Sequence, residues 1–171
     1  MKKFGMICLL TLLLSGCGTA PVWEQVTDGE LTQPVGLWQE DAYDLTIGVP
    51  EELSLTESQP GLALYETQNG EWSVRTQTFL ASDLNTAVKY LSGYEADKLT
   101  VLQTTRFDLP EYRFVWYTQT GEGGRVCRGD LVMDGHICYA VVSSVTETAS
   151  HGYEEKLQQV FSSFGLSERP V

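Results

Sequence analysis

Apolar side chains recur along this chain with two different periods, and those periods divide it into strands and helices. Residues 43–49 alternate apolar and polar and stop at Pro50, which predicts a strand closed by a residue that cannot donate to a ladder. Residues 62–66 and 71–80 flank Asn69-Gly70, a dipeptide that favours the tight turn of a hairpin. Ser82 is placed to cap a helix and Asp83 to favour its first turn; Leu84, Ala87, Val88 and Leu91 then form one stripe at helical spacing. Residues 99–107, 111–119, 125–133 and 136–145 predict further strands. The glycine-rich stretch 121–124 connects the middle two, and Asp134-Gly135 makes a two-residue hairpin loop between the last two. Over residues 150–164, Tyr153, Leu157, Val160, Phe161 and Phe164 share one helical face, with Gly165 set as the residue after the helix and Leu166 packing back.

Hairpin connections make neighbouring strands antiparallel, and a helix that is apolar on one face has to lie on a sheet. The element order therefore predicts an α+β domain, a single antiparallel sheet of about six or seven strands with helical layers. The length of 171 residues fits one such domain with a targeting segment. With 42% apolar and 11% aromatic side chains, the chain can bury a core without a metal or disulfide scaffold, and its composition is not that of a disordered protein.

The first residues break this pattern. Lys2 and Lys3 precede a short apolar run over residues 4–14, the arrangement of a signal peptide, and shorter than the about 20 apolar residues of a membrane span. Leu14-Ser15-Gly16-Cys17 follows and resembles the bacterial lipobox. That resemblance implies cleavage before Cys17 and attachment of lipid to its thiol. The expected organisation is a signal peptide at 1–16, a lipid-anchored and partly packed tether at 17–41, and a folded domain at 42–171. A flexible tether of about 20 residues would span roughly 25 Å root-mean-square. Trp23, Val26 and Trp38 are costly to leave in water, so part of it is expected to pack on the domain.

Removing Lys2 and Lys3 from the 11 basic residues leaves nine against 23 acidic ones, a formal net charge of −14. Such a surface repels nucleic acid and anionic headgroups, which excludes nucleic-acid binding and leaves membrane attachment to lipid on Cys17 rather than to a basic patch. Of the four cysteines, Cys8 leaves with the signal and Cys17 carries lipid, so Cys127 and Cys138 remain. In an exported chain a disulfide between them is chemically permitted. With Asp134-Gly135 as the loop, Met133 faces His136, Leu131 faces Cys138 and Cys127 faces Val142. The two thiols then lie roughly 13 Å apart, against the about 7 Å that a disulfide tolerates. Two buried free thiols are expected.

The order of strands, helix, antiparallel strands and helix resembles the PsbP-like fold, shared by photosystem II extrinsic proteins, a Ran-binding nuclear-import factor and many bacterial lipoproteins of unknown function. The resemblance is carried by residues 43–50 (YDLTIGVP), 78–91 (TFLASDLNTAVKYL), 112–117 (YRFVWY) and 157–164 (LQQVFSSF). It implies an α/β/α sandwich. Members share no single activity, and no functional residue carries over from them.

Nucleophilic catalysis requires a base beside the nucleophile, most often histidine, and the chain has two. His136 borders a turn, and His151 precedes a helix beside Ser150. His151, Glu154 and Glu155 have the spacing to share an ion on one helix face, although Glu154 and Glu155 equally suit the positive helix N-terminus. Glu51-Glu52 reads as a solvated turn rather than an acid–base pair. The glycines at 121–124 lack the Lys-Ser or Lys-Thr of a phosphate loop. Arg128-Gly129-Asp130 matches an integrin-recognition triplet but falls inside a strand rather than on a loop tip. Trp72, Tyr112, Trp116 and Tyr117 suit a ligand platform, yet a strand covered on both faces shows the same pattern, so core packing is the expectation.

No catalytic constellation, metal site or cofactor site emerges from these residues. The expectation is a non-catalytic lipoprotein held at the extracytoplasmic face of a membrane through Cys17, binding a protein or small-molecule partner. The alternative is a metal-binding protein or enzyme using His151 and the nearby carboxylates.

Overall fold

The computed structural model describes residues 43–121 and 123–168; the expected signal peptide, the expected tether with Trp23, Val26 and Trp38, and Cys17 lie outside them. The elements are β1 (Tyr43–Thr46), β2 (Leu53–Gln59), β3 (Leu62–Thr67), β4 (Trp72–Leu80), α1 (Leu84–Ser92), β5 (Leu102–Arg106), β6 (Leu109–Thr120), β7 (Gly123–Asp134), β8 (Ile137–Thr146), α2 (Glu154–Ser162) and β9 (Gly165–Glu168). Seven strands form one antiparallel sheet in the order β2-β3-β4-β8-β7-β6-β5. This is the α+β architecture that the periodicities predict.

Both faces of the central strands are buried, and alternation decides which side chain goes where. On one face Phe114, Trp116, Leu131, Cys138 and Ala140 pack against Ala87, Val88 and Leu91 of α1. On the other, Val132, Tyr139, Val141 and Trp72 pack against Val160, Phe161 and Phe164 at the α2 end. Trp72 is fully buried, and its indole Nε1 donates to Ser143 Oγ at 2.8 Å, so this large side chain leaves no polar atom unmatched.

Several local expectations shift. Asp83, not Ser82, caps α1: its Oδ1 accepts from the Thr86 backbone N–H at 2.8 Å. Gly93, with φ of 80°, ends the helix by donating to Lys89 O at 2.7 Å. The last helical segment splits into a 3-10 stretch (Glu147–Tyr153) and α2; Ser150 Oγ donates to Glu147 O at 2.9 Å, a local bond that competes with regular helix. Gly165 does not turn the chain through positive φ but opens β9, which pairs with β1 in a separate two-stranded ribbon. A Cβ on Gly165 would lie 2.6 Å from Thr46 Oγ1, so a side chain there would push the Thr46 hydroxyl aside. The ribbon packs Tyr43, Leu45 and Leu166 onto the α2 side, which accounts for the alternation that marks β1. β2 carries too weak a pattern to be read from the sequence: as an edge strand it buries only Leu53.

The β7–β8 hairpin also closes differently. Asp134 pairs with Ile137, so Gly135-His136 is the loop, Met133 faces Cys138 and Cys127 faces Ser144. Gly135 supplies the positive φ of 60° that this turn requires. The two cysteines are thereby farther apart than expected, six residues or roughly 20 Å along the strands. Both thiols are free and buried, and burial pushes that of Cys138 far up.

Asp83→Ala is expected to cost about 1 kcal/mol of stability. The Thr86 N–H holds the Asp83 carboxyl below its ordinary value of 3.8, so this contribution is present at neutral pH and is lost on acidification. Urea denaturation of both proteins at neutral and acid pH checks the cost and its sign.

Candidate functional site

The α2 face of the sheet changes character towards the β5 edge. Cross-strand register sets Arg113 opposite Asp130, Val115 opposite Arg128 and Leu102 opposite Arg113. Residues two apart share a face, so Glu111 and Arg113 of β6 and Arg128 and Asp130 of β7 stand together beside α2. Arg106, at the end of β5, joins them.

Glu111 and Asp130 are 0% exposed. A carboxylate without water requires charged donors in its place, and the three arginines supply them. Arg106 Nε donates to Glu111 Oε1 at 2.5 Å, and Arg113 Nη2 to Oε2 at 2.8 Å. Arg128 grips Asp130 with Nε and Nη2, both at 3.2 Å. Arg113 Nε lies 3.6 Å from Asp130 Oδ2, near enough for charge attraction but too far for a hydrogen bond, and this buried Nε has no acceptor. Burial raises the Asp130 carboxyl above its ordinary value, against the pull of Arg128.

The same arginines fix the end of α2. Arg106 Nη1 donates to Phe164 O at 2.8 Å and Nη2 to Phe161 O at 3.4 Å, meeting carbonyls that the ending helix leaves open. Arg128 lies over the Phe161 ring at 3.9 Å and Arg106 over the Phe164 ring at 5.1 Å. Between α2 and these strands runs a groove of about 630 Å³, lined by the three arginines with Glu154, Leu157 and Phe161 among others. A second hollow of about 690 Å³, lined by Lys98, Leu102 and Val115, shares Arg113 and Arg128 as its wall. Three guanidinium groups against two carboxylates leave one positive charge in excess, on a chain whose formal net charge is −12.

The residues singled out in the sequence are dispersed. Arg128-Gly129-Asp130 lies within β7, with Arg128 and Asp130 bound to each other and Gly129 on the opposite face. A Cβ there would meet Phe114 Cζ at 2.9 Å, so packing accounts for the glycine. His151 Nδ1 lies 3.1 Å from Glu154 Oε1, with the His151 side chain 95% exposed. Among the described residues no three His, Cys, Asp or Glu side chains come together as a metal site. Glu52 pairs with Lys156, which lowers its carboxyl. His136 Nδ1 lies 3.2 Å from Ala81 O. Trp72 and Trp116 are buried in the two cores; Tyr112 is half-buried, and Tyr117 is exposed and donates its hydroxyl to Glu147 at 2.9 Å. The aromatics therefore form no common platform.

Sequence reasoning passed over Arg106, Glu111 and Arg113. The available signal is opposite charges two residues apart inside apolar strands, Glu111 with Arg113 and Arg128 with Asp130, where an ordinary buried strand would carry none. Because burial raises the Asp130 carboxyl above 3.8, the folded chain holds that proton more tightly than the unfolded chain. The resulting stabilisation is complete below the unfolded value and disappears as pH rises through the folded one. Asp130→Asn, which cannot titrate, is expected to compare worst with the parent near pH about 4 and best near pH about 7 in paired urea titrations.

No protein-family model matches the chain, and no curated protein matches it in sequence. Solved structures resemble it in fold. Cyanobacterial PsbP from Synechocystis is 10% identical over 74% of this chain and 93% of its own, with a TM-score of 0.50. LpqN of Mycobacterium tuberculosis, described as involved in cell envelope biogenesis, is 9% identical over 74% of this chain and 84% of its own, with a TM-score of 0.48. A Bacteroides thetaiotaomicron protein is 12% identical over 74% of this chain, with a TM-score of 0.49; the chain spans only 45% of it. At such identities the likeness concerns fold alone: the domain has a PsbP-like α+β architecture.

Proposed function

We propose that this chain is a lipid-anchored, non-catalytic protein of the extracytoplasmic face whose PsbP-like domain binds a protein or small-molecule partner in the groove beside α2. The observation that carries the reading is the convergence of Arg106, Arg113 and Arg128 on one groove of an acidic chain. Pockets with a few converging polar groups and apolar walls are the usual form of a binding site. The two buried carboxylates behind the groove, Glu111 and Asp130, are already paired with guanidinium groups, which leaves neither free to serve as a base.

The anchor rests on Leu14-Ser15-Gly16-Cys17 behind a short apolar run. Among the described residues no helix is long and apolar enough to cross a membrane. Attachment through a single thiol makes localisation depend on one side chain.

Two measurements test the reading. Cys17→Ala is expected to leave the membrane fraction and lose labelling by a fatty-acid probe; retention of both would overturn the anchor. A photo-reactive residue introduced at Gln158, on the groove wall, is expected to give an adduct in the protein's own membranes. That adduct should vanish when Arg113 and Arg128 are both changed to Gln, and an adduct indifferent to those changes would sink the binding site.

A further inference from the structure

We infer that the groove takes an organic molecule bearing a single carboxylate, seated on Arg113 and Arg128 with its apolar or planar body against Leu157. The inference rests on the binding-module reading and names the ligand class. Its first support is charge. The cluster holds three guanidinium groups and two fully buried carboxylates, so one monovalent anion brings it to neutrality. A dianion such as phosphate would leave net negative charge beside two carboxylates that have no water to screen them.

The second support is unused donor capacity. Arg113 gives one hydrogen bond, to Glu111, and Arg128 gives two, both to Asp130. Their side chains are 42% and 34% exposed, and both line the groove. A guanidinium offers five N–H donors in a planar fork that fits a carboxylate, so each arginine retains donors after satisfying its internal partner. Asp130 and Glu111 hold both forks in place before any ligand arrives, which lowers the ordering cost of binding.

Third, the walls are mixed. Leu157 supplies accessible apolar surface, while Phe161 is buried and holds Arg128 flat on its ring at 3.9 Å. The volume of about 630 Å³ accommodates far more than a small inorganic ion. One further carboxylate, Glu154, borders the groove; it is 72% exposed and lies against His151, where water screens its repulsion. The acidic chain as a whole repels polyanions more than it does a small monoanion.

The test is calorimetric titration of the full chain, in neutral detergent, with benzoate and separately with inorganic phosphate. Benzoate is expected to bind with a Kd on the order of 1 mM or tighter. Arg113→Gln should weaken it about tenfold or more, and so should Arg113→Lys, which keeps the charge but loses the fork. Thermal melts of both variants establish that they are folded, and Lys89→Gln, on α1 across the sheet, should bind as the parent does. Phosphate binding more tightly than benzoate, benzoate binding indifferent to Arg113, or no heat with either anion would overturn the carboxylate. The two readings part at the Gln158 adduct: if it forms and needs the arginines while benzoate fails, the groove stands and only the ligand class falls.

Discussion

Two carboxylates stripped of water on the α2 face govern the rest of this structure. An unpaired ion in that position costs several kcal/mol even after relaxation, so Glu111 and Asp130 can stay charged only where cations reach them with good geometry. Arg106, Arg113 and Arg128 provide it from three adjacent strands. Each of those strands must therefore keep its register, because a slip by one residue would turn a buried charge to the opposite face and bring it against Phe114 and Leu131.

The same requirement ties sheet to helix. Arg106 spans from Glu111 to the carbonyls of Phe161 and Phe164, and Arg128 lies flat on the Phe161 ring. α2 is nine residues long, too short to be stable alone, and depends on this docking and on its apolar face. The groove exists because α2 covers the sheet only partway, leaving Leu102 and Val115 exposed beyond the arginines. A charged cluster at the margin of a covered face is anchored on its inner side and open on its outer side, the arrangement a preorganised recognition site needs.

The fold was largely legible in the sequence because its signals are local. Apolar runs over β6, β7 and β8 mark strands covered on both faces, and the stripe through Leu84, Ala87, Val88 and Leu91 reports a helix and the face it buries. The site was less legible. Glu111 with Arg113 and Arg128 with Asp130 are visible as charges within apolar strands, yet the sequence shows neither that the pairs lie side by side nor that Arg106 comes between them and α2. Ser82 and Asp83 are both good caps, and only the path of the chain selects Asp83.

By itself the sequence determined both helices, most of the strands in their order, and the α+β class, because each depends on residues close together in the chain. Tertiary structure decided the one-position shift of the β7–β8 turn, the pairing of β1 with β9, and the meeting of three arginines with two carboxylates. These depend on which backbone groups pair across long separations. That choice is made by burying the whole apolar set at once, and no local pattern records its outcome.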